Sequence, residues 1–127
     1  MMAVDTSALM AIVLREAEAE ACKARLETET ELLISAGTVA EALIVAARRN
    51  VEDEMHRLID GLGFEIVAVT AMAAPRIAAA HRQWGRGRHP AALNYGDCFS
   101  YDLARHHACP LLFVGNGFAK TDLISAL

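Results

Sequence analysis

The sequence is poor in aromatic residues, poor in cysteine and free of long apolar runs. Aromatic side chains make up 6% of its 127 residues, so a core must be built mainly from Ala, Leu, Ile and Val. The three scattered cysteines, Cys22, Cys98 and Cys109, are too few for a disulfide framework or a zinc site and suit a reduced, cytoplasmic protein. No run reaches membrane-spanning length and no signal peptide pattern is present, so we expect no membrane association.

Positive charge is also in deficit. The formal net charge of −4 at pH 7 argues against a general polyanion binder, so any nucleic-acid contact must use a local basic patch. Apolar residues make up 54% of the chain, which is enough for a sizeable core. Because the sequence contains no repeat and no linker, residues 1–127 are predicted to form a single domain.

Short apolar runs alternate with helical patterns along the chain. Strands are predicted at 3–5, 32–34, 64–69 and 111–114. Helices are predicted at about 8–14, 16–29, 35–50, 51–61, 70–84 and 97–107. Strands that alternate with helices predict an α/β fold with a parallel sheet covered on both faces.

Three carboxylates occupy positions near the ends of these strands. Asp5 ends the first strand, Glu41 lies in the first turns of the helix after the second, and Asp97 opens the helix before the fourth. Open parallel sheets bind ligands beyond the carboxyl ends of their strands, so we expect the three acids to converge. Like charges at close range repel, and a hard cation such as Mg²⁺ or Mn²⁺ would neutralise them.

Each of these acids also has a purely structural interpretation. Asp5 and Asp97 are favoured helix caps, and Glu41 taken alone is an ordinary solvated helix residue. The neighbours of Glu41 at 40 and 42–47 are apolar, which favours a functional role for its carboxylate.

Four segments along the chain carry a recognisable pattern. They are Val-Asp-Thr-Ser-Ala at 4–8, Ser-Ala-Gly-Thr-Val-Ala-Glu-Ala at 35–42, Asn-Tyr-Gly-Asp-Cys-Phe-Ser-Tyr at 94–101 and Leu-Leu-Phe-Val-Gly-Asn-Gly-Phe-Ala-Lys-Thr-Asp at 111–122. In this order and spacing, over essentially the whole chain, they resemble PIN-domain ribonucleases and, among them, the VapC toxins of bacterial VapBC toxin–antitoxin modules. One such segment is weakly specific, whereas four in register are a strong signal.

The resemblance implies a three-layer α/β/α sandwich around a central parallel sheet and a metal-dependent endoribonuclease activity. It implies that Asp5 and Asp97 are the principal ligands of Mg²⁺ or Mn²⁺. Glu41 would be the third catalytic acid, which either binds a second metal through water or helps to activate the attacking water. The implied partners are an RNA substrate, a VapB-type antitoxin whose C-terminal segment covers the groove, and a second copy of the chain in a homodimer.

Two positions depart from the family pattern. Asn116, the usual fourth polar position, stands where many relatives have Asp, and the adjacent Gly117 is also often acidic in relatives, so a second metal site is in question. Asp102 stands where an apolar residue is common. Asp102 lies about 140° around the helix from Asp97, so an ion pair with Arg105 or His106 is favoured over a metal role.

An acidic pocket that handles RNA needs cations at its rim. Arg86 and Arg88, in the glycine-rich loop upstream of the last acid, are candidate phosphate contacts. The alternative function is a catalytically weak PIN-fold domain that mainly binds an antitoxin, since Asn116 replaces a carboxylate. A phosphoacceptor receiver domain and a haloacid-dehalogenase-type phosphatase both fit poorly, because no second acid stands beside Asp5 or at Ser7.

Overall fold

The computed structural model describes residues 1–127 and contains four strands, six α-helices and one short 3-10 helix at Phe118–Lys120. The strands are β1 (Met2–Val4), β2 (Leu32–Ser35), β3 (Glu65–Val67) and β4 (Leu111–Leu112). The helices are α1 (Thr6–Val13), α2 (Ala19–Thr28), α3 (Ala36–Arg48), α4 (Glu52–Leu62), α5 (Ala73–Trp84) and α6 (Tyr95–His106).

The four strands form one parallel sheet in the order β3-β2-β1-β4. Ala3 of β1 is in register with Leu33 of β2 on one side and with Leu111 of β4 on the other. The sheet hydrogen bonding continues past β1, where the Asp5 N–H donates to the Leu112 carbonyl over 3.0 Å. Asp5 therefore lies at the carboxyl end of β1, on the side of the sheet where parallel sheets bind ligands.

Alternating side chains of the sheet face two separate cores, since successive residues of a strand point to opposite faces. Met2, Val4 and Ile34 pack with apolar residues of α1, α2, α3 and α4 on one face. Ala3 and Leu33 pack with apolar residues of α5 and α6 on the other. The predicted three-layer α/β/α sandwich is confirmed.

The apolar face of α4 belongs to the core. Met55 is fully buried and Ile59 nearly so, and both lie in the cluster under β1 and β2. The helix ends at Gly63, whose φ of +69° is the left-handed conformation that glycine adopts without strain. The α4 face is therefore occupied within the fold and offers little surface to a second copy.

The predicted third strand is the least accurate of the elements. A strand is predicted over 64–69, but β3 covers only Glu65–Val67 at the edge of the sheet, where Ile66 is 52% exposed. β4 is also shorter than predicted, because the backbone leaves the ladder after Leu112. No helix combines the length and the apolar character needed to cross a membrane.

Candidate active site

Asp5 links the central strand to the first helix. Its carboxylate is the N-terminal cap of α1 and accepts a hydrogen bond from the Ser7 N–H over 3.0 Å. The residue is only 3% exposed, and its two carboxylate oxygens also accept bonds from the hydroxyls of Ser7 and Ser100, over 2.7 and 2.5 Å. The capping interpretation is thus correct for Asp5, and it does not compete with a functional one.

Glu41 reaches the same region from the second turn of α3. Its Oε1 accepts a hydrogen bond of 2.7 Å from the Thr6 hydroxyl, on the residue that follows Asp5. Its Oε2 lies against Gly96 of α6, so closely that a Cβ atom at Gly96 would overlap the carboxylate. Gly37 meets the ring of Phe99 in the same way, so glycines on both helices let α3 and α6 approach closely.

Asp97 lies in the first turn of α6. We expected it to open this helix, but α6 begins at Tyr95 with Asn94 as its cap. Asp97 is the third helical residue and forms a capping box with Asn94: its N–H donates to Asn94 Oδ1 over 2.8 Å, and its Oδ2 accepts from the Asn94 N–H over 2.9 Å. The cap occupies Oδ2, which leaves Oδ1 for another partner.

The pKa values of Asp97 and Glu41 are shifted by burial and by the neighbouring acids. Burial raises the pKa of Asp97 to about 6, the charges of Asp5 and Glu41 add to this rise, and the Asn94 N–H and Arg86 oppose it. Burial also raises the pKa of Glu41, against the Thr6 hydrogen bond, and Asp5 adds to the rise. Three carboxylates from three segments therefore repel one another in a partly buried pocket.

The acids do not form a closed ligand cage. No group of three or more His, Cys, Asp or Glu side chains is arranged so that it could by itself hold a metal ion. Mg²⁺ commonly binds through one or two carboxylates and keeps several of its waters. The donor set here, two capping carboxylates with a third acid beside them, fits a hydrated ion of that kind better than a fully protein-ligated one.

The other predicted site residues lie at the rim. Arg86 is exposed yet close enough for its charge to act on Asp97, whereas Arg88 is exposed and has no hydrogen bond or ion pair from its guanidinium. Asn116 is exposed in the turn after Gly115, whose φ is +106°. The turn begins near Asp5, because the Val114 N–H donates to the Ser7 hydroxyl over 3.0 Å.

Asp102 and Asp122 lie outside the acid cluster. The expected pairing of Asp102 with Arg105 or His106 is wrong: both oxygens of Asp102 bind Arg76 of α5, over 2.9 and 3.1 Å. Asp122 accepts a 2.7 Å hydrogen bond from the Tyr101 hydroxyl and lies 3.6 Å from Arg105. These two acids join α6 to α5 and to the C-terminal segment.

Sequence reasoning missed the side chains that support the acids. Thr6, Ser7 and Ser100 are not among the predicted site residues, yet all three hydroxyls bind Asp5 or Glu41. The spacing of Ser100 three residues after Asp97 is a usable signal, because it places both on neighbouring turns of one helix.

Comparison with known proteins gives one consistent picture. The PIN domain family model matches residues 2–123. Ribonuclease VapC30 of Mycobacterium tuberculosis (strain ATCC 25618 / H37Rv) is 42% identical over 129 residues, covering 96% of this chain and 95% of that protein. Ribonuclease VapC42 of the same strain is 41% identical over 126 residues, covering 96% of both.

Two solved structures share the fold at low sequence identity. The crystal structure of Mycobacterium tuberculosis VapC20, described as a Sarcin-Ricin loop cleaving toxin, has a TM-score of 0.80 at 15% identity and covers 98% of this chain and 97% of that chain. A toxin-antitoxin complex from Klebsiella pneumoniae has a TM-score of 0.72 at 19% identity and covers 100% and 98%.

Proposed function

Because this chain belongs to the PIN domain family and, within it, to the VapC ribonucleases, we propose that Asp5, Glu41 and Asp97 hydrolyse RNA phosphodiester bonds with a divalent cation. The protein is an endoribonuclease toxin of this family. The observation that supports the site assignment is the set of contacts that link the three segments: Glu41 accepts from Thr6, the residue after Asp5, Asp5 accepts from Ser100 of α6, and Glu41 lies against Gly96, the residue before Asp97. A cation relieves the repulsion among the three carboxylates.

The family and the ligand chemistry support a metal cofactor. VapC ribonucleases with a PIN domain generally depend on a divalent metal ion, and carboxylate oxygens are the ligands that Mg²⁺ and Mn²⁺ prefer. We assign the metal contacts to the buried Asp5 and the half-buried Asp97. When bound, such an ion lowers the pKa of a coordinated water and stabilises charge on the phosphoryl oxygens.

Glu41 is positioned to accept a proton from the attacking water. The Thr6 hydroxyl donates to Oε1 and fixes the orientation of the carboxylate, and Oε1 keeps a second lone pair for a proton. Partial burial raises the pKa of Glu41 and so makes its carboxylate a stronger base than a solvated one. In-line attack by that water leaves a 5′-phosphate and a 3′-hydroxyl.

The partners follow from the same assignment. We propose RNA as the substrate, with Arg86 and Arg88 contacting its phosphates, and a VapB-type antitoxin that covers the acidic pocket. An apolar cleft of about 360 Å³, lined in part by Ile44, Val45 and Phe99, adjoins Glu41 and offers that antitoxin an apolar anchor. We further propose that residues 1–127 act as one domain, that the chain forms a homodimer, and that it works in the cytoplasm, where its three free thiols stay reduced.

The test compares two Asp→Asn variants on one helix. Asp97→Asn keeps a carbonyl oxygen for the Asn94 N–H but removes a ligand charge, so Mn²⁺-dependent cleavage of total bacterial RNA is expected to fall by about a hundredfold or more. Asp102→Asn removes an equal charge that contacts only Arg76, and its cleavage is expected to stay near the wild-type level.

Cleavage is followed by gel electrophoresis with Mn²⁺ or with excess EDTA, and folding by circular dichroism. Wild-type cleavage that persists in EDTA, or a folded Asp97→Asn protein that cleaves as well as wild type, would contradict the proposed function.

A further inference from the structure

The two oxygens of the Asp5 carboxylate are held in different ways. Oδ2 accepts two hydrogen bonds, from the Ser7 hydroxyl over 2.7 Å and from the Ser7 N–H over 3.0 Å. Oδ1 accepts one, from the Ser100 hydroxyl over 2.5 Å. A carboxylate oxygen has two lone pairs. The Oδ2 lone pairs are therefore both used, whereas Oδ1 keeps one.

We propose that Ser100 is a positioning residue that fixes Oδ1 as the single oxygen through which Asp5 holds the divalent cation. The inference rests on the proposed function, because it concerns the same metal. It concerns a residue of α6 that contacts neither RNA nor metal in this assignment. It also assigns single-oxygen coordination to Asp5, because the Ser7 pair closes Oδ2.

Ser100 is itself held rigidly. It is 1% exposed, and its hydroxyl lies 3.2 Å from the hydroxyl of Thr38, which is fully buried on α3. A serine hydroxyl has one proton, and Ser100 gives it to Asp5, so Thr38 is the donor to Ser100. The chain of bonds runs from α3 through α6 to the end of β1, and it sets the direction of the remaining Oδ1 lone pair.

Ser7 and Ser100 both donate a hydroxyl hydrogen bond to Asp5, on different oxygens, so their alanine variants can be compared directly. Without the Ser7 hydroxyl, Oδ2 still accepts the Ser7 N–H, and the Val114 N–H loses its acceptor. Without the Ser100 hydroxyl, Oδ1 has no donor, and only the Ser7 bonds at Oδ2 orient the carboxylate. Loss of a side chain that orients a metal ligand costs about 10–100-fold in metal affinity.

The test is Mn²⁺ binding, measured by isothermal titration calorimetry on wild type, Ser100→Ala, Ser7→Ala and Thr38→Val. Ser100→Ala is expected to weaken the Kd about tenfold or more. Ser7→Ala is expected to weaken it by no more than about threefold, since one donor remains. Thr38→Val is expected to fall between them. The Mn²⁺ concentration for half-maximal RNA cleavage shifts by the same factor as the Kd for each variant.

The outcomes separate this proposal from the one on which it rests. A wild-type protein that binds no Mn²⁺ refutes the proposed function itself. A wild type that binds Mn²⁺, with Ser100→Ala and Ser7→Ala equal to each other, refutes only the role of Ser100. Thermal unfolding in EDTA checks that each variant is folded. If Ser100→Ala is unfolded, Ser100→Cys, whose thiol is a weaker donor, takes its place, and it too must bind Mn²⁺ more weakly than Ser7→Ala.

Discussion

Gly96→Ala is expected to damage both the fold and the site, because Glu41 occupies the space that the new methyl group needs. The Cβ would overlap the Glu41 carboxylate, which is anchored on its other oxygen by Thr6. Overpacking of this kind costs about 1–3 kcal/mol, and loss of the Thr6 hydrogen bond adds about 0.5–1.5 kcal/mol. Alanine stabilises a helix by about 0.5–1 kcal/mol relative to glycine, which offsets part of this loss.

The net expectation is a loss of about 0.5–4 kcal/mol in the free energy of unfolding, or roughly 2–16 °C in Tm for a chain of this size. Cleavage should fall by about a hundredfold, because a reacting group displaced by about 1 Å has that effect. Gly61→Ala is the matched control. Nothing lies within 4 Å of a Cβ at Gly61, also on a helix, so that variant should gain about 0.5–1 kcal/mol.

The assay is thermal unfolding by circular dichroism in EDTA, for each glycine variant alone and combined with Glu41→Ala. Truncating Glu41 empties the contested space, so Gly96→Ala should cost almost nothing in that background. An equal cost in both backgrounds, or a Gly96→Ala protein as stable as Gly61→Ala, would refute the explanation.

Two further expectations concern pH and RNA. The pKa of Asp97 is raised to about 6 in the folded chain, so the metal-free native state binds more protons than the unfolded state between that value and 3.8. Its Tm in EDTA should therefore rise as pH falls from 7.5 towards 5, and Asp97→Asn should flatten this rise. Replacing Arg86 and Arg88 by Gln should weaken RNA cleavage at physiological salt without unfolding the protein. Unchanged cleavage there would remove both from the RNA interface.

The fold was largely predictable from sequence, because alternating strands and helices leave few arrangements. The structure begins α1 at Thr6, β2 at Leu32 and α3 at Ala36, each within a few residues of its predicted start. The error at β3 has a physical cause. The residues around Ile66 are apolar, but β3 is an edge strand that pairs only with β2, so Ile66 stays exposed. Whether a strand lies at the edge or the centre of a sheet depends on tertiary packing, which the local sequence pattern does not encode.

The sequence proposes Asp5, Glu41 and Asp97 as the acids of the site, from their places after or near the ends of strands, and this assignment stays a prediction. The side chains that hold these acids could not be predicted. The Ser100 bond to Asp5 spans 95 residues, and the Arg76 pair with Asp102 spans 26, so neither shows in local spacing. Residue spacing along α6 gave Arg105 as the partner of Asp102 because it reports only neighbours on the same helix.

The carboxylate of Asp5 has a structural role in the fold that the carboxylate of Glu41 does not have. The Asp5 carboxylate closes the first turn of α1 and joins it to the end of β4 through Ser7, whereas Glu41 caps nothing and lies on a helix that Ser35 already caps. Under the proposed assignment, an inactive variant that keeps the fold, for expression without the antitoxin, is therefore better made by substituting Glu41 than Asp5. Host cells that survive expression of an Asp5 variant could do so because the protein is unfolded, and not only because it has lost activity.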